Sequence, residues 1–195
     1  MATWEMKGKP ALLVLHMQPG IIGEIFHPDS ARVVKESGII PRQQALLRAF
    51  RNKKLPVIYV NVRMQTVVGD IPSYGFLWKL EGASVPLPEE YSVIPEVAPQ
   101  SKEVVLYNWP FGPFSNSGLD QALKVCHAET LVPVGFATNG VVLSAIMGGS
   151  DRFYSQVVPG DASASPSLKA HKIVMEELAP ALALVTTADD IIAHL

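Results

Sequence analysis

Cysteine is almost absent from this chain of 195 residues, which contains one. A single thiol cannot form an internal disulfide or supply a thiolate zinc site, and its scarcity suits a reducing compartment. Charged residues are also scarce, at 17% against about 25% in an average soluble domain, while 48% are hydrophobic. This composition excludes a disordered chain, and the net charge of −2 argues against a nucleic-acid partner.

Long apolar runs are missing too. The most apolar stretches, 11–15 and 178–185, are far shorter than the roughly 20 residues of a membrane-spanning helix. The first ten residues lack the apolar segment of a signal peptide. We therefore expect one cytoplasmic domain over residues 1–195, with no membrane partner.

What the sequence does contain is a regular alternation of strand and helix patterns. Apolar and β-branched runs predict strands at 11–15, 56–62, 103–107, 130–134, 156–159 and 183–186. Helical spacing of apolar residues predicts helices at 33–53, 119–125, 139–147 and 167–178. Such alternation predicts a three-layer α/β/α fold around a central parallel sheet.

One stretch, 64–100, breaks the alternation. It holds five prolines and no sustained period. A long irregular segment inside a compact domain is often a lid or a pocket wall. Trp78 from this stretch is expected to close a pocket or to line a subunit interface.

Open parallel sheets carry their sites beyond the carboxyl ends of the strands. Here that rule selects His16, which suits general acid or base chemistry or a neutral hydrogen-bonded role. It also selects Asn108, which would polarise a carbonyl, hold a water or simply line the pocket. In the turn after the fourth strand, amides near Gly140 and Val141 would hold a developing negative charge.

Aromatic and amide side chains surround these positions. An aromatic-rich loop follows the third strand and predicts a wall for a flat or apolar ligand, although packing alone would explain part of it. Its residues are Tyr107, Trp109, Phe111 and Phe114. Phe136 and Asn139 complete the predicted binding set, with Asn139 orienting the substrate. The glycine spacing of the turn matches neither a Walker loop nor a dinucleotide fingerprint.

Several of these segments resemble those of the isochorismatase-like, or cysteine hydrolase, superfamily, which includes nicotinamidases. The resemblance spans most of the chain in the family's order and implies its Rossmann-like fold. Its clearest segments are Pro10-Ala-Leu-Leu-Val-Leu-His-Met-Gln18, Lys54-Leu-Pro-Val-Ile-Tyr-Val60, Phe114-Ser-Asn-Ser-Gly-Leu119, Gly135-Phe-Ala-Thr-Asn-Gly-Val-Val-Leu-Ser144 and Gly160-Asp-Ala-Ser-Ala-Ser165.

The resemblance also implies where the family's Asp, Lys and Cys triad would stand. The corresponding positions hold His16, Asn108 and Val141. Valine has no nucleophilic atom, so the family's covalent route cannot run through it. Isochorismatases proper also lack the Cys but keep the Asp, so this chain is not an ordinary isochorismatase either.

The resemblance carries expectations about metals and assembly as well. The metal-binding Asp-x-His motif of nicotinamidases has no counterpart between Asn61 and Gly75, so we expect no metal and no cofactor. Members of the superfamily commonly form dimers or tetramers, and the surplus of apolar residues agrees with a homo-oligomer.

The remaining cysteine and histidines are expected to lie outside the site. Cys126 and His127 are adjacent on a helix, so they do not face each other, and they precede the fourth strand. We therefore expect Cys126 to be a buried structural thiol at the opposite edge of the sheet. His171 and His194 are expected at the surface.

Two functions follow from these residues. The first is a cofactor-free enzyme acting on a small apolar or aromatic carbonyl or enol-ether compound without a covalent intermediate. Hydrolysis is what the resemblance implies, and lyase or isomerase chemistry is equally compatible with one base. The second is an inactive pseudoenzyme that binds a small molecule or a protein partner.

Overall fold

The computed structural model describes residues 4–23, 27–63, 92–108, 111–115 and 117–195. Its strands form one parallel sheet in the order β3-β2-β1-β4-β5-β7, with the short β6 also paired to β4. The strands are β1 Pro10–Leu15, β2 Val57–Val62, β3 Val104–Asn108, β4 Thr130–Phe136, β5 Ser155–Pro159, β6 Ser163–Ala164 and β7 Leu184–Thr186. The predicted parallel α/β architecture is confirmed.

Helices cover both faces of the sheet. They are α1 Pro19–Ile22, α2 Ser30–Ser37, α3 Ile39–Asn52, α4 Leu119–Val125, α5 Leu143–Ser150, α6 Leu168–Ile173 and α7 Ala188–Ala193. No helix in the described ranges is long and apolar enough to cross a membrane.

Three helices differ from their predicted extents. The predicted helix 33–53 is two helices, because Gly38 between α2 and α3 has a φ of 66°, a left-handed conformation that glycine adopts readily. The predicted helix 139–147 starts as a π-helical turn, Thr138–Val142, before α5. The predicted helix 167–178 is α6 followed by the π-helical segment Val174–Leu178.

Side chains of successive strand residues fall into two separate cores. Leu12 and Val14 of β1 pack with residues of α3 and α7 on one face of the sheet, which we call the α3 face. Leu13 and Leu15 pack with residues of α4 and α5 on the other, the α4 face. Because β1 and β4 are buried on both faces, they read as continuous apolar runs in the sequence.

The central strand pair brings the carboxyl ends of β1 and β4 together. Leu15 pairs with Gly135, and a Cβ on Gly135 would collide with the carbonyl oxygen of Leu15. The φ of Gly135 is 147°, so only glycine suits this close approach. Residues that follow β1, β3 and β4 consequently leave the sheet at one edge.

Candidate functional site

His16 and Asn108 form a buried pair at this edge. His16 directly follows β1, where its backbone N–H donates to the carbonyl of Val60, and Asn108 ends β3. Their side chains meet across the end of β2, with 3.0 Å between His16 Nε2 and Asn108 Oδ1. Only 4% of His16 and 3% of Asn108 is exposed. The structure thus joins two of the three positions that the sequence selected.

The backbone of His16 explains how its ring reaches Asn108. Its φ is 53°, which breaks the alternation of β1 directly after the strand ends at Leu15. Leu15 lies on the α4 face, and so does the side chain of Leu106, two residues before Asn108. The left-handed turn at His16 therefore lets two consecutive residues contact the same side of the sheet.

Burial determines the protonation state of the pair. Desolvation lowers the pKa of His16 from 6.5 to about 4, and the hydrogen bond with Asn108 opposes that change. The ring is therefore neutral at pH 7. A neutral ring carries one N–H, and with Oδ1 facing Nε2 the proton lies on Nε2. Nδ1 then holds a lone pair, and it has no hydrogen-bond partner among the described residues.

The third predicted position, Val141, lies in the core. It is 1% exposed and packs on the α4 face with Leu119, Val142 and Ala145. The N–H of Gly140, one residue earlier, donates to the carbonyl of Ala137 at 3.0 Å. The Gly140 N–H is therefore already hydrogen-bonded within the turn. It is not free to hold a developing negative charge, which was its predicted role.

Two hydrogen bonds that the sequence did not predict connect the turn after β4 to α6 and to the residues just before it. Ser165 Oγ donates to Asn139 Oδ1 at 2.8 Å, and Thr138 Oγ1 lies 2.9 Å from His171 Nδ1. Asn139 itself is exposed. His171 is half-buried rather than a surface residue, and burial is the main cause of its lowered pKa.

Sequence reasoning missed Ser165 and His171 as partners of the turn. Ser165 ends one of the segments that resemble the superfamily, so a signal for it existed. His171 lies in no such segment, and its contact with Thr138 depends on the packing of α6.

The described aromatic residues do not form one wall. Phe111 packs over the turn, since a Cβ on Gly140 would lie 3.6 Å from its ring. Phe114 instead packs on the α4 face against Gly148, with the guanidinium of Arg152 4.2 Å from its ring centroid. Among the predicted wall residues that the structure describes, Phe111 is the ring beside the turn.

Tyr107 and Phe136 lie on the α3 face, away from Asn108. Tyr107 is 42% exposed on β3, at the end of the strand order, with the guanidinium of Arg63 5.8 Å from its ring centroid. Phe136 is wholly buried in the α3-face core, so its side chain is not accessible to a ligand. Trp78, Trp109 and most of the irregular stretch fall outside the described residues.

The other reactive groups lie away from the pair. Cys126 follows α4 and is half-buried rather than fully buried, and burial is the main cause of its raised pKa. His194 is also half-buried and stacks on Trp4, with 4.2 Å between ring centroids. Within the described ranges, no cluster of three His, Cys, Asp or Glu side chains is arranged to hold a metal ion.

A family model agrees with this fold. The isochorismatase domain model matches residues 10–190, which is nearly the whole chain. The chain belongs to the isochorismatase family of hydrolases. Its α/β fold is that of solved isochorismatase family proteins.

The similar proteins described next are distant from this chain in sequence. An isochorismatase family protein from Burkholderia thailandensis is 27% identical, with 98% of this chain and 97% of that chain covered and a TM-score of 0.79. The phenazine biosynthesis protein PhzD1 from Pseudomonas aeruginosa is 25% identical, over 98% of this chain and 89% of its own length. PhzD from Pseudomonas fluorescens is 30% identical over 109 residues, about half of each chain (54% and 51%).

Proposed function

We propose that this isochorismatase-family protein hydrolyses a small apolar or aromatic carbonyl or enol-ether compound by acid/base chemistry, without a covalent intermediate. The proposal rests on one observation, the buried hydrogen bond of 3.0 Å between His16 and Asn108 at the carboxyl edge of the sheet. These residues stand where the resemblance implies two members of the family's triad. Val141, at the third position, offers no nucleophile.

For a carbonyl substrate, His16 supplies a base at Nδ1. A water molecule attacks the carbonyl carbon as its proton passes to the Nδ1 lone pair, and the imidazolium then returns that proton to the leaving group. Asn108 Oδ1 holds Nε2–H and so keeps the lone pair on Nδ1. With a pKa of about 4, His16 is a weak base but stays unprotonated throughout the physiological range.

A matched pair of histidine variants tests the proposal. Compounds containing ester, amide or enol-ether groups are screened for turnover, and kcat/KM is measured for each one found. His16→Gln should lose about 100-fold or more, the range expected of a missing general base. His127→Gln is the control, because His127 is exposed and shares a positive φ, 54°. Equal turnover in both variants would refute the proposed role of His16.

The alternative is a non-catalytic protein that binds a small molecule in the same place. The weak basicity of His16 and the burial of Val141 favour it. This alternative predicts no turnover in the screen, together with small molecules that raise the melting temperature by binding the folded state.

A further inference from the structure

Asn108 carries a hydrogen-bond donor that nothing in the described structure satisfies. Its Nδ2 is buried and has no partner, while its Oδ1 faces the His16 ring. The other buried side-chain atoms without a partner in the described ranges are all oxygens, on Ser30, Gln43, Asn61 and Gln156. Orphaned buried N–H groups are rarer in proteins than under-used oxygens, so Asn108 Nδ2 stands apart.

Rotating the Asn108 amide by half a turn, so that Oδ1 and Nδ2 exchange places, would still leave hydrogen-bonding groups without partners. With Nδ2 facing the ring, His16 Nε2 would accept and the ring proton would move to Nδ1. His16 Nδ1 would then be an N–H without an acceptor among the described residues, and Asn108 Oδ1 would lose its donor. In the orientation described, the missing component is an acceptor for Nδ2.

The surroundings indicate what kind of acceptor suits the site. His16 is neutral at pH 7: burial lowers its pKa, the Asn108 hydrogen bond opposes that change, and no charged side chain among the described residues contributes. Among the described residues, a carboxylate placed against Nδ2 would thus find no counter-charge, and burying it unpaired is strongly unfavourable. An uncharged oxygen loses far less on leaving water, and one amide donor satisfies it.

We infer that Asn108 Nδ2 is a ligand-binding donor, and that the molecule bound at this site presents to it an uncharged carbonyl or ether oxygen rather than a carboxylate. This assignment rests on the proposed function only for the location of the site, and it requires no turnover. It narrows the class of ligand to neutral oxygen compounds.

Nuclear magnetic resonance with matched aromatic probes tests the assignment on the full chain. Benzamide and anisole present a neutral carbonyl and a neutral ether, and benzoate has the same ring with a charged group. The side-chain amide protons of Asn108 should shift on titration with benzamide or anisole, and benzoate at pH 7 should bind at least tenfold more weakly than benzamide. No Asn108 shift with either neutral probe at its solubility limit would overturn the assignment, as would benzoate binding equal to that of benzamide.

Two variants separate the donor from general packing. Asn108→Leu keeps the approximate shape without the N–H groups and should weaken benzamide binding at least tenfold. Asn61→Leu is the control, because Asn61 is equally buried but lies on β2 with an unpartnered oxygen. Equal benzamide binding by both variants would refute the role of Nδ2, and the wild-type titration remains decisive if a variant does not fold.

Failure of this inference is distinguishable from failure of the proposed function. Binding of neutral probes at Asn108 without turnover of any compound would leave the inference intact and exclude the hydrolase. If turnover depended on His16 but neither neutral probe shifted the Asn108 signals, the proposed hydrolase would stand and the assignment of Asn108 Nδ2 would fail.

Discussion

The buried ring of His16 makes the stability of the fold depend on pH. Its pKa is about 4 in the folded protein and 6.5 for a free histidine, so the unfolded chain binds a proton more readily than the folded one. The stabilising contribution is therefore complete above pH 6.5. It is lost as the pH falls towards 4, because protons then favour the unfolded state.

The size of the loss follows from the fall of the His16 pKa from 6.5 to about 4. Each pKa unit corresponds to about 1.4 kcal/mol, so complete protonation costs about 3 kcal/mol. At pH 5 the same two values give a loss of about 2 kcal/mol. That is a large share of the stability of a small domain, typically about 5–15 kcal/mol.

Urea unfolding of two variants measures this contribution. The free energy of unfolding of wild type and His16→Gln is determined from pH 8 to pH 5, and the difference between the two curves is taken. Carboxylates and His171 contribute to both curves and largely cancel. We expect the difference to change by about 2 kcal/mol over this range. The control variant His127→Gln changes an exposed residue, and its free energy of unfolding should follow the same pH dependence as wild type. If the pH dependence of His16→Gln also matched that of wild type, His16 would not be buried and neutral as argued.

Two further predictions concern the α4 face. Gly148→Ala places a Cβ 2.7 Å from the ring of Phe114 and should cost about 1–3 kcal/mol in urea unfolding. Gly160→Ala is its control, with its nearest contact at 3.4 Å, and equal losses would contradict the packing argument. Val141→Cys in a Cys126→Ser background should react with iodoacetamide far more slowly than Cys126 does in wild type, because the new thiol is buried beside uncharged residues. Rapid labelling would show that this position opens to solvent.

Strong local patterns made the sheet predictable from the sequence. The runs at β1 and β4 are apolar because both faces of these strands are covered. The rule that sites lie beyond the carboxyl ends of parallel strands then located His16 and Asn108. Their contact joins residues 92 positions apart, and the sequence alone gives no direct measure of it.

Strand ends and the alternation of side chains within strands explain why two predicted ligand contacts, Phe136 and Tyr107, were wrong. The fourth strand was expected to end at residue 134, which placed Phe136 in a loop near the ligand. The strand continues to Phe136, whose side chain follows the alternation of Val132 and Val134 into the α3-face core. Tyr107 is separated from Asn108 by the same alternation within β3.

The side chains at the three predicted triad positions, His16, Asn108 and Val141, are all uncharged at pH 7, and this has an energetic reason. The superfamily's triad contains an Asp and a Lys, and removing one charge of a buried pair leaves the other unpaired at a cost of about 3–5 kcal/mol. In the placement that the resemblance implies, both charges are absent and that cost does not arise: His16 is neutral through burial, Asn108 is an amide, and Val141 adds apolar contacts to the core. A site stable without charges cannot bind its ligand through ion pairs with these residues. Hydrogen bonding to neutral oxygen is then the recognition that His16 and Asn108 can provide.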